Sequence, residues 1–290
     1  MIPRSFEYFD PSTVEEAISL LQRYGTDAKV LAGGQSLIPI MKLRLASPSY
    51  VIDLNRISGL DYIREENRKL RIGALVRHRQ IINSELIRHS VPIMTETAEL
   101  VGDAQVRNLG TVAGSLAHCD PGGDWGSTMI ALRATVKVSG PRGIRDVRID
   151  DFFEGTFQPS LNPGEIVTEV EVPIPKETSG GAYVKFERKA GDFASVGVAC
   201  QLSLDRTGVC TYAGIGLTAV APTNIRAKKA EDVLLGKKIA QSEVNRAARD
   251  ASESAEPVSD PIRGSAEYKK AMVEVFAKRA LDIALERITW

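Results

Sequence analysis

Two short segments carry the residues whose types and spacing best suit chemistry. Residues 32–36 read Ala-Gly-Gly-Gln-Ser, and residues 108–115 read Asn-Leu-Gly-Thr-Val-Ala-Gly-Ser. Glycines let a backbone come close to a ligand, and successive N–H groups at the start of a helix can cradle a phosphate. A diphosphate needs donors that converge from two sides, which two such turns can supply. The first turn taken alone is equally an ordinary turn between a strand and a helix.

A third segment, residues 120–124 (Asp-Pro-Gly-Gly-Asp), places an acidic side chain shortly after the second turn. The Asp124 carboxylate suits the hydroxyl groups of a sugar or polyol, and the same residue could equally be the N-cap of the helix predicted there. His118, Cys119 and Asp120 are consecutive. Three consecutive side chains rarely converge on one ion, so no metal site is predicted. A contact between His118 and a cofactor at the second turn stays open.

Several common sites are absent from the sequence. No G-x-G-x-x-G motif follows a predicted strand, which argues against a nicotinamide site of the Rossmann type. The sequence also lacks the P-loop pattern G-x-x-x-x-G-K-[ST], the zinc motif H-E-x-x-H and the nucleophile elbow G-x-S-x-G. Any phosphate-bearing cofactor must therefore be held in another way.

Composition narrows the classes of function further. Lys plus Arg and Asp plus Glu number 37 each, so no positive surplus predicts binding to nucleic acid or to an anionic membrane. The longest uncharged stretch, residues 207–225, is interrupted by Gly, Thr, Asn and Pro and predicts strands rather than a membrane span. The first residues show no apolar signal core, so a cytoplasmic location is expected. Three cysteines without paired spacing fit a reducing compartment and are one thiolate short of an all-cysteine iron–sulfur cluster.

The first turn lies in a region whose pattern predicts the order strand, turn, helix, strand. Ser12 and Glu15 fit a capping box, with Ser12 as the N-cap of the preceding helix. A buried strand over residues 29–32 leads into the turn, a short helix over 37–45 follows it, and a second strand covers 50–54. This order favours parallel pairing of the two strands through a crossover.

The rest of the chain predicts an α+β fold in three parts. Residues 135–138 and 144–149 alternate apolar and polar side chains around Gly-Pro-Arg-Gly, which predicts a β-hairpin. Three alternating segments after residue 182 predict an antiparallel sheet, and helical patterns follow them. We expect a small βαβ lobe, a larger mixed α/β lobe and a C-terminal antiparallel sheet with helices, in residues 1–55, 56–175 and 176–290.

Residues 32–36 and 111–115 resemble the two FAD-binding signatures of the medium subunit of molybdenum hydroxylases. This family includes the carbon monoxide dehydrogenase medium subunit and the flavin domain of xanthine dehydrogenase. The resemblance covers essentially the whole chain, including residues 105–108 and 185–194. It implies that the first two lobes form a two-part FAD-binding domain. One departure is Ala113, where the second turn of the family usually carries Gly, and the added methyl group takes up space close to a ligand.

The resemblance also implies a set of cofactor-binding residues. Both turns would hold the FAD diphosphate and neighbouring groups, and Asp124 would contact the polyol or ribose. Ile166 and Val167 would lie beside the isoalloxazine ring, with Lys185 as a nearby polar contact and Phe193 as an aromatic neighbour. No catalytic residue and no metal ligand is implied. The complete set is Ala32, Gly33, Gly34, Gln35, Ser36, Leu37, Thr111, Val112, Ala113, Gly114, Ser115, His118, Asp124, Ile166, Val167, Lys185 and Phe193.

Simpler interpretations of some single residues stay open. Lys185 and Asp192 could pair with each other across the end of a strand, and Phe193 could belong to the core. His78 and His89 fall in segments predicted as loop or helix surface.

By the same resemblance, the chain would be the FAD-binding electron-transfer subunit of a larger enzyme. A large subunit with a molybdenum cofactor would oxidise the substrate, and a small subunit with two [2Fe–2S] clusters would relay electrons to FAD. FAD would pass them to an external acceptor, within a dimer of heterotrimers. The sequence agrees in showing no acid–base or nucleophile constellation. Two alternatives stay open: a free-standing flavin oxidoreductase acting directly on a small substrate, and a non-enzymatic α/β scaffold protein.

Overall fold

The structure, a computed structural model, describes residues 2–176 and 178–288. It confirms the α+β class, because mixed helices and sheets are followed by an antiparallel sheet packed with helices. This part of the chain contains sheets of three, five, four and two strands. Within these ranges, no helix is both long and apolar enough to cross a membrane.

The chain begins with a three-stranded parallel sheet that leads into the first glycine turn. Its strands pair in the order β1-β3-β2, which confirms the predicted parallel pairing across the turn. The helix after the turn ends at Lys42 rather than at residue 45, and Arg44 just beyond it has a left-handed φ of 60°. The elements are β1 (Glu7–Phe9), α1 (Val14–Tyr24), a 3₁₀ turn (Gly25–Asp27), β2 (Ala28–Leu31), α2 (Leu37–Lys42), β3 (Tyr50–Asp53) and a second 3₁₀ turn (Leu54–Arg56).

The predicted N-cap of α1 is wrong by one residue. Thr13, not Ser12, is the N-cap, and its side chain accepts a hydrogen bond from the Glu16 backbone N–H at 3.1 Å. The Glu16 carboxylate accepts from the Ser12 backbone N–H at 2.8 Å, so Glu16 takes the place expected for Glu15. Neighbouring hydroxyl and acidic residues fit the capping pattern in either register, and the backbone selects the second.

The middle of the chain forms an antiparallel sheet covered by short helices. The sheet has the order β4-β5-β10-β6-β7, and the predicted hairpin is confirmed as β6 and β7. In chain order the elements are β4 (Ile63–Glu66), β5 (Lys69–Gly73), α3 (His78–Asn83), α4 (Glu85–Ser90), α5 (Pro92–Leu100), α6 (Ala104–Leu109), α7 (Val112–His118), α8 (Asp124–Leu132), β6 (Thr135–Gly140), β7 (Gly143–Arg148), a 3₁₀ turn (Ile149–Asp151), β8 (Phe153–Gly155), β9 (Gln158–Pro159) and β10 (Ile166–Pro173).

The last part of the chain is a four-stranded antiparallel sheet with three helices. Its strands pair in sequence order, and β12 is buried along its whole length. The apolar faces of the helices pack with this sheet into one core that includes Val198, Ile215 and Phe276. The elements are β11 (Ser179–Phe186), β12 (Val196–Leu204), β13 (Cys210–Thr218), β14 (Ile225–Arg226), α9 (Lys228–Leu234), α10 (Gln241–Ser254) and α11 (Ala266–Glu286).

Helix α8 joins the middle part of the chain to the C-terminal sheet. All nine of its residues are buried, including Trp125 at its start. Two glycines of β13 allow the backbone of α8 to approach the C-terminal sheet closely. A methyl group on Gly216 would lie 2.1 Å from the Ser127 carbonyl oxygen, and one on Gly214 would lie 2.0 Å from that of Ala131. The position of α8 is therefore fixed by the C-terminal sheet as well as by its own lobe.

Candidate functional site

The two glycine turns lie directly against each other. A methyl group on Gly33 would be 2.3 Å from the Leu109 carbonyl oxygen and 2.7 Å from Gly110 Cα. One on Gly114 would be 4.0 Å from the Ala32 methyl group. Such distances leave no space for a side chain at Gly33, so this glycine is required for the contact. The fold thus brings together two backbone segments that are far apart in sequence.

Two polar side chains, neither of them in a glycine motif, connect the turns. The Asn55 amide donates to the Ala32 carbonyl oxygen at 2.9 Å. The Arg77 guanidinium donates both to the Asn55 side-chain oxygen and to the Leu109 carbonyl oxygen. Burial lowers the pKa of Arg77 from its usual value. Because Arg77 contacts both Asn55 and Leu109, it holds the carbonyl groups of the two turns in a fixed relation.

A third missed residue, His78, supports the second turn from within the protein. Its backbone N–H donates to the Gly110 carbonyl oxygen at 3.0 Å, and its Nδ1 accepts from Trp125 Nε1 at 3.2 Å. The predicted surface position of His78 is wrong, since only 3% of the residue is exposed. Burial lowers its pKa to about 3, so the ring is neutral at physiological pH. His89 is exposed, as predicted.

Helix α7 begins at the second turn and resolves the question raised by Ala113. Thr111 is the N-cap, and its hydroxyl accepts from the Gly114 backbone N–H at 2.9 Å. The Ala113 methyl group packs into the main core and is 3% exposed. The methyl group therefore takes up space in the core rather than on the outer side of the turn. The backbone N–H groups of Val112 and Ala113, which precede Gly114 in the first helical turn, have no partners within the helix and are therefore available to a ligand.

Residues 120–124 extend the site from the second turn to an aromatic ring. A methyl group on Gly123 would lie 3.7 Å from the Ser115 hydroxyl oxygen, and one on Gly122 would lie 3.4 Å from the Phe193 ring. Phe193 is 48% exposed, so its assignment to the core is wrong. Asp124 is the first residue of α8 and Gly123 is the N-cap, so the capping role suggested for Asp124 is also wrong.

The Asp124 carboxylate is buried and bound by two side chains from β11. The Tyr183 hydroxyl donates to its Oδ1 at 2.6 Å, and the Lys185 ammonium donates to its Oδ2 at 3.2 Å. Burial raises the pKa of Asp124 to about 6, and the attraction of Lys185 opposes this rise. The suggested pair of Lys185 with Asp192 is wrong, because Asp192 pairs with Arg188 instead. Lys185 is thus part of a buried polar cluster beside α8.

The remaining candidates occupy two different settings. Ile166 and Val167 are buried on β10, the strand against which α7 packs, and their side chains contribute to two separate cores. His118 is the last residue of α7, at the opposite end from the glycine turn. Its ring contacts Phe157, with 5.1 Å between centroids, and burial lowers its pKa. The candidate residues Gly34, Gln35, Ser36 and Leu37 continue the first turn into α2, with Gly34 at φ 71°.

This arrangement fits FAD, both in its polar groups and in the close contact of the two backbone turns. At one end two backbone turns meet without intervening side chains, as close binding of a diphosphate requires. At the other end a buried carboxylate and a half-exposed aromatic ring follow in sequence, chemistry that suits polyol hydroxyls and a flat ring. Sequence patterns identified both ends but not Asn55, Arg77 or His78, which belong to no motif. Tyr183 could have been found, because it lies two residues before Lys185 and therefore on the same face of the strand.

Comparison with known proteins identifies the family of this chain. Residues 4–175 match the family described as the FAD binding domain in molybdopterin dehydrogenase, and residues 181–284 match the CO dehydrogenase flavoprotein C-terminal domain. The chain is 43% identical to the carbon monoxide dehydrogenase medium chain of Hydrogenophaga pseudoflava, over 99% of both chains. It is 37% identical to the 6-hydroxypseudooxynicotine dehydrogenase complex subunit alpha of Paenarthrobacter nicotinovorans, over 99% of this chain and 97% of that one.

A solved structure gives the same result. A chain of the Hydrogenophaga pseudoflava carbon monoxide dehydrogenase that lacks the Mo-pyranopterin moiety superposes with a TM-score of 0.97 at 44% identity, and all of both chains is covered. The predicted family resemblance is therefore confirmed over the full length. The chain belongs to the family of FAD-binding medium subunits of molybdenum hydroxylases, the flavoprotein subunits of multi-subunit molybdenum-containing dehydrogenases.

Proposed function

We propose that this chain binds FAD, accepts electrons from [2Fe–2S] clusters of a partner subunit and passes them to an external acceptor. The observation that carries the proposal is the contact of the two glycine turns, in which Gly33 lies against Leu109 and Gly110 without room for a methyl group. Two backbone segments that meet in this way can donate N–H groups to one diphosphate from both sides. FAD, when bound, supplies the redox chemistry, and the protein supplies its binding, orientation and electrostatic environment.

Each candidate residue has a proposed task. Residues 32–37 and 111–115 would hold the diphosphate and the groups beside it, with Arg77 and Asn55 keeping the two turns together. Asp124 would accept hydrogen bonds from the polyol or ribose, and Phe193 would cover one side of the flavin ring. Ile166 and Val167 would support the ring from the core, and Lys185 would fix Asp124. His118 would contact the cofactor only from the far end of α7.

The proposed partners follow from what this chain lacks and from its relatives. Its three cysteines are buried and free, and an all-cysteine cluster needs four thiolates. We propose that electrons reach the flavin from another chain, a small subunit with two [2Fe–2S] clusters, beside a large subunit with a molybdenum cofactor. A relative at 37% identity is itself named as one subunit of a dehydrogenase complex.

The same proposal extends to assembly, location and domain division. The complex would be a cytoplasmic dimer of heterotrimers. Residues 1–55 and 56–175 would form the two lobes that bind FAD, and residues 176–290 would form the C-terminal domain. Lys185 and Phe193 come from the third region, so the site would use residues from all three.

Purification of the native complex tests the proposal. Affinity capture of this chain should bring down two further polypeptides, with molybdenum, iron and FAD in the eluate and flavin absorption bands in the visible spectrum. Rapid mixing with the substrate of the complex should reduce the iron–sulfur bands and the flavin bands together. If the chain purifies alone, yellow, and is reduced directly by a small organic substrate, it is a free-standing flavin oxidoreductase. A colourless chain without partners would contradict both functions.

A further inference from the structure

A buried ammonium group lies between two carboxylates beside the candidate flavin site. Lys185 Nζ is 3.2 Å from Asp124 Oδ2, 3.2 Å from Glu187 Oε2 and 2.9 Å from the Leu100 carbonyl oxygen. The Lys185 side chain is 1% exposed. The ammonium donates hydrogen bonds to the Leu100 carbonyl oxygen at the end of α5 and to Asp124 at the start of α8, and the Glu187 carboxylate, directly after β11, pairs with it by charge alone.

Glu187 is the least satisfied member of this cluster. Its Oε2 atom is buried and accepts no hydrogen bond within the described residues, although the Lys185 ammonium is close. Asp124, by contrast, also accepts from the Tyr183 hydroxyl at 2.6 Å. Burying a carboxylate oxygen without a hydrogen bond costs free energy, so its position calls for a reason other than stability. The distinguishing property of Glu187 is its charge.

The cluster carries an unbalanced charge when all three groups are ionised. Two carboxylates and one ammonium sum to one negative charge, and Tyr183 contributes none in its neutral form. A charge in a buried site is screened less than one in water, so it acts over a longer distance. Asp124 begins α8 directly after Gly122 and Gly123, which lie against Phe193 and Ser115. The negative charge therefore stands next to the residues assigned to the cofactor.

We propose that Glu187 is a positioning residue that acts through the Lys185 ammonium and sets the reduction potential of FAD bound against Asp124. Reduction adds negative charge to the flavin, and a buried negative charge nearby disfavours this addition. Glu187 has two effects in the same direction. It contributes the excess charge, and it shares the single ammonium with Asp124 at the same distance of 3.2 Å, which leaves that carboxylate less neutralised. This inference rests on the proposed function, since it requires FAD at this site.

Substitution of Glu187 by glutamine keeps the shape of the side chain and removes its charge. In the purified complex, Glu187→Gln should make the flavin easier to reduce. The expected shift is about tenfold in the ratio of reduced to oxidised FAD at a fixed potential, or about 30 mV for a two-electron couple. A unit charge exerts about this effect across roughly 10 Å at an effective dielectric constant of 20. Glu187→Asp keeps the charge and should restore the potential of the parent.

The matched control is Glu99→Gln, which removes one carboxylate from an exposed position next to Leu100. Solvent and salt screen a charge there, so the potential should stay at the parent value. A redox titration of the flavin bands in each purified complex gives all four potentials. Complex assembly by size-exclusion chromatography and FAD content per chain check that the variants are folded.

Each outcome of the titration decides the proposal. A positive shift confined to Glu187→Gln supports it. An unchanged potential in Glu187→Gln with FAD retained overturns it, and so does an equal shift in Glu187→Asp, which would indicate side-chain packing rather than charge. An equal shift in Glu99→Gln overturns it as well, because any carboxylate would then suffice. Complexes of the parent that contain no FAD would instead defeat the proposed function, so the two failures are distinguishable.

Discussion

Substitution of Gly33 by alanine should weaken FAD binding beyond what its effect on stability explains. The added methyl group would lie 2.3 Å from the Leu109 carbonyl oxygen and 2.7 Å from Gly110 Cα. Both neighbours are backbone atoms, so no side chain can rotate away to relieve the overlap. The Leu109 carbonyl oxygen is also held by the Arg77 guanidinium. The relief must come from separation of the two turns.

The size of that separation sets the expected loss. Non-bonded atoms of this kind need roughly 3.3–3.8 Å, so the turns must move apart by about 1 Å. A hydrogen bond of about 2.9 Å that is stretched by the same amount is lost. Each hydrogen bond to a charged group contributes about 1.5–3 kcal/mol, so the loss of one or two bonds to the diphosphate weakens FAD binding about 10- to 10,000-fold. Overpacking alone lowers the free energy of unfolding by about 1–3 kcal/mol.

A matched variant separates loss of affinity from loss of stability. Gly236 follows α9 with a φ of 73°, and a methyl group there would meet no atom within 4 Å. Gly236→Ala should lower stability by about 1–2 kcal/mol through its left-handed backbone alone. It lies outside the candidate site and should leave FAD binding unchanged. Fluorescence titration of the apo-complex with FAD and urea unfolding of each variant give both quantities.

The result that refutes this reasoning is specific. Suppose that the dissociation constant of Gly33→Ala for FAD is within threefold of the parent value, and that its loss of stability equals that of Gly236→Ala. The close approach of the turns then does not serve the cofactor. Gly33 would then be needed only for the packing of one loop on another.

Three further predictions concern buried charges. The Arg145 side chain holds the pKa of Glu165 down to about 2, so this pair stabilises the fold above about pH 4.5 and loses its effect as pH falls toward 2. Arg145→Gln should cost about 1–3 kcal/mol in urea unfolding at pH 7, with a deficit that vanishes toward pH 2. Burial raises the pKa of Asp124 to about 6, so the native state binds the carboxyl proton more tightly than the unfolded state does. The free energy of unfolding therefore falls as the pH rises from about 4 to 6. Asp124→Asn should remove up to about 3 kcal/mol of that fall, measured as the change with pH in its unfolding free energy relative to the parent. Glu231 is fully buried and pairs with two arginines, so Glu231→Gln should cost about 3–5 kcal/mol, whereas Glu171→Gln at a partly exposed pair should cost less than about 1 kcal/mol.

Local structure was predictable from the sequence wherever a few adjacent residues determine it. The hairpin of β6 and β7 follows from the alternation of apolar and polar side chains on either side of Gly140 and Gly143, and these two glycines pair directly in the structure. Parallel pairing of β2 and β3 follows from the short helix between them. Both features depend on turn geometry and side-chain period, which a short window of sequence contains.

Other features depend on contacts that no short window contains. Helix α8 is buried on every side, so its sequence lacks the polar face that marks a surface helix, and its place between two lobes is not visible in a pattern. His78 stands between two arginines in the sequence, which suggests a surface, yet Trp125 and the Gly110 turn enclose it. Strand β1 has only three residues, too few to show the alternation of apolar and polar side chains that identifies a strand.

The site that these features build is shared by both halves of the chain. Helix α8 carries Asp124 at its start, and just past its other end Arg133 pairs with Glu231, which also accepts a hydrogen bond from the Ile215 backbone N–H of β13. The same C-terminal sheet supplies Lys185, and Glu187 follows directly after its first strand. Residues 32–36 and 111–115 alone could hold a diphosphate. The position and charge of Asp124, however, are set from the C-terminal domain, because that domain fixes the helix and supplies the ammonium group. Removal of the C-terminal domain should therefore remove the side chains that hold Asp124, although both glycine turns lie outside that domain.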